Sequence, residues 1–488
     1  MKNRVKFAAI VAALQLGLTA PLAAQSGEII TKQYDTGGVY EGEFLNGMQH
    51  GQGTYRLPNG YEYTGQWVEG RIEGQGEARF PNGSVYVGAF MNGRPEGQGR
   101  ITFADGGTYE GEWVDGKITG SGTAVYANGV IYTGDFVDAV HEGFGIMTSP
   151  NGYIYEGQWV GGVKDGTGKI TYPDGAIYEG TLVRGERAGT GTLSLPDGLV
   201  YTGEWAGGQI NGEGVLIQPN GDRYEGTMVN GQREGNGVAV YASGDRYEGS
   251  FRADQRHGQG TFTGTDGYAY TGNWVEGKMQ GAGRVVYPDG SVYEGEFEND
   301  LAHGTGKITY PDGSSYEGSW VNGVIEGSGI ARYADGLVYE GEFRNARNHG
   351  TGTMTHENGY QYTGEWVDGL REGQGVATYS DGTVYSGNFT AGQRDGFGTI
   401  LMPEETVVLA DGTSTTGRFE YEGEWSAGVI NGEGTARYPN GDVYTGVFLD
   451  GQRHGRGTMQ YATGDVYDGF WLNGRQATEE DAAAAGAN

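Results

Sequence analysis

Cysteine is missing from this chain altogether, so no disulfide staples the fold, no thiol serves catalysis or redox exchange, and no thioester-linked lipid can be attached. Packing and backbone pairing must do all the holding. Basic residues are also scarce: 32 Lys and Arg stand against 63 Asp and Glu, a formal charge of −31. Such a field repels phosphate backbones and anionic headgroups alike, so nucleic acid is not an expected partner. The N-terminal apolar stretch, Phe7 to Leu22, is too short to span a bilayer comfortably. It follows Lys2, Arg4 and Lys6 and precedes Ala23-Ala24-Gln25, the pattern of a secretory signal cleaved near Ala24. Residues 1–24 are expected to be a signal peptide and the mature chain to be exported, periplasmic or extracellular. Without those three basic residues, 29 Lys and Arg face 63 acidic residues, a net charge of −34.

What the chain has in abundance is glycine on a strict period. A pentad Tyr-x-Gly-x-(Trp/Phe) begins at Tyr40, Tyr63, Tyr86, Tyr109 and Tyr132 and recurs every 23 residues to Tyr385. After a 13-residue insertion it returns at Tyr421, Tyr444 and Tyr467, giving 19 units and leaving too little chain for a second folded domain. Counting from each tyrosine as position 0, glycine fills position 2 in all 19 units and positions 11 and 13 in 18 each, so 55 of the 98 glycines sit at three places. That regularity, with 12% aromatic residues, excludes a flexible linker or a disordered chain.

In the unit beginning at Tyr155, strand alternation puts Tyr155, Trp159, Ile170 and Tyr172 on one face with Gly157, Gly166 and Gly168, so large rings lie over positions without side chains. The other face carries Glu156, Gln158, Thr167, Lys169 and Thr171, with Val160 the apolar exception. Gly161-Gly162 and Asp174-Gly175 supply the turns, so each unit reads as a β-hairpin. The expected fold is all-β: an elongated, twisted single-layer antiparallel β-meander or solenoid of about 19 tandem 23-residue hairpin repeats.

The string Tyr-x-Gly-x-Trp-x-x-Gly-x-x-x-Gly-x-Gly, closed by Asp-Gly or Asn-Gly, resembles the MORN repeat (membrane occupation and recognition nexus) over most of the chain. The resemblance implies an extended single-layer β-structure used as a scaffold or dimerisation module, with lipid binding in some members. Enzymes of the family carry catalysis in a separate domain, for which this chain has no room.

No position breaks the period in the way an active site would. Paired carboxylates such as Glu41 with Glu43 and Glu110 with Glu112 recur along the lattice. His50, His257, His303, His349 and His454 share position 10, and partners two units apart lie ~19 Å from each other, too far to ligate one metal ion. Gly-Lys pairs at Gly116, Gly168, Gly277 and Gly306 are never followed by Ser or Thr, so no phosphate-binding loop is present. No catalytic residue, cofactor or metal site is expected.

All nine tryptophans, Trp67, Trp113, Trp159, Trp205, Trp274, Trp320, Trp366, Trp425 and Trp471, occupy position 4, alternating mostly with Phe and slipping once at Met228 and Phe251. Their bland role is packing between hairpins; the sharper expectation is an interaction stripe for protein, membrane lipid or envelope glycan. The expected organisation is a signal peptide (1–24), a capping strand (25–39), sixteen repeats (40–402), an inserted elongated hairpin (403–420), C-terminal repeats (421–474) that could form a homodimer, and an acidic, Ala-rich disordered tail (475–488). The expected function is a non-enzymatic exported scaffold, with lipid-surface and polysaccharide binding as the alternatives.

Overall fold

The computed structural model describes residues 28–409 and 411–484; the expected signal peptide lies outside them. Described residues form 41 strands and one short helix. Each of the first eighteen repeats is a hairpin of a seven-residue and a nine-residue strand, as in Ile154–Val160 and Val163–Thr171. Gly161 and Gly162 both have positive φ, at 55° and 81°, the two-residue turn whose twist suits antiparallel strands. The outer turn differs. Tyr172 N donates to Ala176 O at 2.8 Å, Gly175 N donates to Tyr172 O at 3.0 Å, and Asp174 Oδ1 accepts from Ala176 N at 3.0 Å. Of Asp174 and Gly175 only the glycine is left-handed, as in a three-residue hairpin loop.

Contacts divide the chain between Gly212 and Glu213. In the first unit, Glu28–Gln33 pairs antiparallel with Val39–Leu45 and covers that edge, and every strand from there to Val200–Ala206 pairs with its neighbours in sequence. The second unit builds the same meander from Arg223–Val229 to Arg475–Ala477.

The core is the tyrosine lying over glycine. A Cβ added at Gly168 would sit 2.5 Å from Tyr155 Cε2, and one at Gly157 would sit 2.5 Å from Gly168 Cα. Gly166 serves the backbone instead, at φ +106°. It belongs to a bulge that simple alternation did not anticipate: Gly157 opposes Gly168, but Trp159 opposes Lys164. The bulge brings position 9 across from position 4, so its side chain joins the ring face.

The insertion forms a separate two-stranded sheet, Glu405–Val408 with Ser414–Gly417. Around it the repeat closes as usual. Gln393–Leu401 pairs with Glu420–Ser426, and Met402 N donates to Phe419 O at 2.9 Å, the same bond that Tyr172 makes to Ala176 across an ordinary outer turn.

The expectation of a disordered tail from 475 fails for residues 475–484. Arg475–Ala477 pairs with Val466–Leu472 and the helix Glu479–Ala484 follows. Thr478 and Asp481 close a capping box: Asp481 N donates to Thr478 Oγ1 at 3.2 Å and Thr478 N donates to Asp481 Oδ2 at 3.4 Å. Ala482 is fully buried, so cap and packing together overcome the tail's polar composition.

Candidate interaction surface

The nine tryptophans are brought onto the ring face of their own unit, and none presents an open ring. Their exposure is 2% to 7%. Each indole stands edge-on between two tyrosines, as Trp67 does between Tyr40 at 5.1 Å and Tyr63 at 5.6 Å, or Trp320 between Tyr293 at 5.1 Å and Tyr316 at 5.6 Å. The indole N–H is engaged as well: Trp205 Nε1 donates to Gly191 O and Trp471 Nε1 to Gly457 O, both at 3.1 Å. The stripe of rings expected from sequence is therefore the packing between hairpins. A single layer buries them because successive repeats lay tyrosine, indole and the position-9 side chain over one another.

Tyrosine hydroxyls are tied to their own strand. Tyr86 Oη donates to Ala89 O at 3.0 Å and Tyr155 Oη to Gln158 O at 2.7 Å. Burial holds the phenols in the protonated form, with Tyr86 and Tyr155 both pushed up to about 12.

Over the rings lies a row that sequence reasoning missed. Arg187 places its guanidinium carbon 4.2 Å from the centroid of Trp205 and donates from Nη2 to Gly208 O at 2.8 Å. In the second unit Arg256 over Trp274, Arg394 over Trp425 and Arg453 over Trp471 repeat this at 4.0, 4.4 and 4.3 Å. The signal was available as arginine recurring at position 9, but its meaning depends on the bulge.

Two of the five periodic histidines, His303 and His349, also acquire a reason. Position 10 supplies an acceptor to the next hairpin turn: Glu142 Oε2 accepts from Gly161 N at 2.8 Å, Glu326 Oε2 from Asn345 N at 2.9 Å, and Gln280 Oε1 from Asn299 N at 3.2 Å. His349 Nδ1 occupies the same slot, accepting from Asp368 N at 3.4 Å. The acidic pairs are spent in the lattice too: Glu43 Oε1 accepts from Gln52 N at 3.1 Å, and Glu110 lies 3.9 Å from Arg100. Among the described residues no group of three or more His, Asp or Glu could hold a metal ion, and no helix is long and apolar enough to cross a membrane.

What remains open to solvent is of two kinds. First, some hairpin tips carry apolar cross-strand pairs, Val137 with Val140 and Val160 with Val163 in the first unit, Val321 with Val324 and Val367 with Leu370 in the second, all exposed. Second, the arginine row of the second unit is interrupted: between Arg256 and Arg371, position 9 holds Met279, Ala302, Ile325 and Asn348. There an open groove of about 620 Å³ runs over Phe297, Ile308 and Trp320, walled by Tyr287 and Tyr310 near the outer turns and by Leu301 at a tip.

A β-meander whose every repeat buries its rings against the next, and whose polar side chains serve the lattice, defines a repeat-built interaction scaffold. The chain belongs to the MORN-repeat family. The profile described as MORN repeat matches eighteen times, in succession from 40–60 and 63–85 to 385–404, then beyond the insertion at 421–443 and 444–466. No curated protein sequence matches the chain. Similar solved structures include the TCP domain of SAS-4 (dCPAP) of Drosophila melanogaster in complex with a proline-rich motif of Ana2, 17% identical over 36% of this chain and 90% of that one, with a TM-score of 0.23. The TCP10 domain of Danio rerio CPAP in complex with a STIL peptide is 16% identical over 55% of this chain and 94% of that one, at 0.16. Virginiamycin B lyase from Staphylococcus aureus is 12% identical over 64% and 93%, at 0.11. Scores this low carry no inference about the present chain.

Proposed function

We propose that this protein is an exported, non-enzymatic scaffold that holds protein partners along the margins of its sheet. The observation that carries this reading is the recurrence of an exposed apolar residue at position 5 of the hairpin tips, as at Val68, Val114, Val160, Val275, Val321 and Val367. Val160 and Val163 are 57% and 42% exposed, and solvated apolar side chains repeated at a fixed interval form the kind of patch that marks an interaction site. Export rests on the basic-apolar-small pattern of residues 1–24. The polysaccharide reading rested on the tryptophan stripe stacking on sugars, and those indoles are buried. The net charge of −31 opposes docking on anionic lipid.

A photo-activated cross-linker at Val160 or Val324 in the producing cell tests the proposal. Discrete protein adducts that disappear on Val163→Lys, with the β-sheet spectrum unchanged, support it. Adducts confined to lipid, or none, overturn it. N-terminal sequencing of the mature chain checks export: a start at Gln25 is expected, and a retained Met1 overturns that part.

A further inference from the structure

The interrupted stretch of the second unit has a geometry that selects one kind of occupant. Its floor is apolar, and tyrosines recur along one wall, Tyr287 and Tyr310 one repeat apart, both partly open to solvent. Each repeat advances two strands, or ~9.6 Å. A polyproline II helix advances ~9.3 Å per three-residue turn. Laid along the array, such a segment returns the same side to the wall at every repeat and drifts less than ~1 Å across three of them. Pyrrolidine rings then meet successive tyrosine edges, and the carbonyls that polyproline II leaves free can accept from tyrosine hydroxyls.

Charge narrows the partner. No Lys or Arg lines the groove, whereas Asp300 does. The turns following Tyr287 and Tyr310 add Asp289 and Asp312, both exposed. Asp312 Oδ1 accepts from Ser314 N at 2.9 Å and from Ser314 Oγ at 2.6 Å, bonds that favour the ionised form. A second copy of this chain, at −31 and with its 12 prolines scattered among the turns and strands, offers no basic proline-rich segment to seat here. We propose that the groove over Phe297 and Trp320 docks a proline-rich segment in the polyproline II conformation, bearing Lys or Arg, from another protein. This rests on the scaffold reading and names the chemistry of one partner.

The repeats themselves supply the blocking substitution. Arginine is native at the corresponding position in Arg256 and Arg371, so Ala302→Arg with Ile325→Arg is expected to fold and close the groove as those residues cover Trp274 and Phe389. Tyr310→Ala is the second, independent variant. The probe is a fluorescent peptide of about nine residues made of Pro-Pro-Lys units, long enough to span three repeats. Binding by fluorescence anisotropy is expected for the full chain, about tenfold weaker for either variant, and unchanged for Ile118→Arg in the first unit. Equal binding of a Gly-Gly-Lys peptide would show charge attraction alone and overturn the proposal, as would unaltered binding to both variants, or a mass change on closing the groove that reveals a second copy there. If the probe does not bind while the tip cross-links persist, the groove proposal falls and the scaffold reading stands.

Discussion

Arg256 lies over the indole of Trp274 with its guanidinium carbon 4.0 Å from the ring centroid, and its Nη2 donates to Gly277 O at 3.0 Å, joining one hairpin to the next by a stacked cation and a backbone bond at once. Methionine could cover the ring but not reach the carbonyl, and lysine has no plane to stack. Arg256→Met and Arg256→Lys are each expected to cost about 1 kcal/mol in chemical denaturation followed by tryptophan fluorescence. Wild-type stability in both would remove the arginine row from the account.

The two glycine roles separate in a double-mutant cycle. Gly168→Ala forces a methyl against Tyr155 and should cost about 1–3 kcal/mol, much of it recovered when Tyr155→Leu removes the ring. Gly166→Ala is penalised by its backbone at φ +106°, so Tyr155→Leu should not rescue it. Equal rescue of both would contradict the assignment.

Alkali should melt the array over a defined window. The phenols of Tyr86 and Tyr155 rise from 10.0 to about 12 through burial, so folding favours the protonated form. That stabilisation is complete below pH 10 and lost as pH climbs toward 12. Tyrosinate absorbance and the β-sheet signal are expected to change together in this interval; ionisation with the sheet intact would show that the rings are not the core.

The position-10 acceptor is testable one amide at a time. Glu326→Ala leaves Asn345 N without its partner and should speed hydrogen exchange there, by about 1 kcal/mol of protection. Glu326→Gln should restore it, because Gln280 fills the same slot natively. No difference between the two would mean the turn does not depend on this bond.

Replacing residues 403–418 by Pro-Asp-Gly rebuilds an ordinary outer turn between Met402 and Phe419. The melting temperature is expected to stay within a few degrees, since the flanking strands already pair directly. A collapse would make the inserted hairpin part of the fold rather than an appendage.

The hairpin period, the turns and the seating of tyrosine over glycine were legible in the sequence, because strand alternation and the absence of a Cβ are local properties repeated many times. So was the gathering of nine tryptophans on one face. Their exposure was not. Whether Trp205 meets solvent depends on Tyr178 from the preceding repeat, Tyr201 from its own and Arg187 above it, and that arrangement exists only after a bulge puts position 9 opposite position 4. The helix after Ala477 escaped notice for a related reason: its capping box is written in Thr478 and Asp481, but six residues hold a helix only when Ala482 has a surface to be buried against. Alone, the sequence determined the strands, their order and the residues that share a face, since each follows from chirality, period and side-chain size. The tertiary structure alone decided that the rings are covered and which side chain lies over each, because burial belongs to neighbouring repeats together.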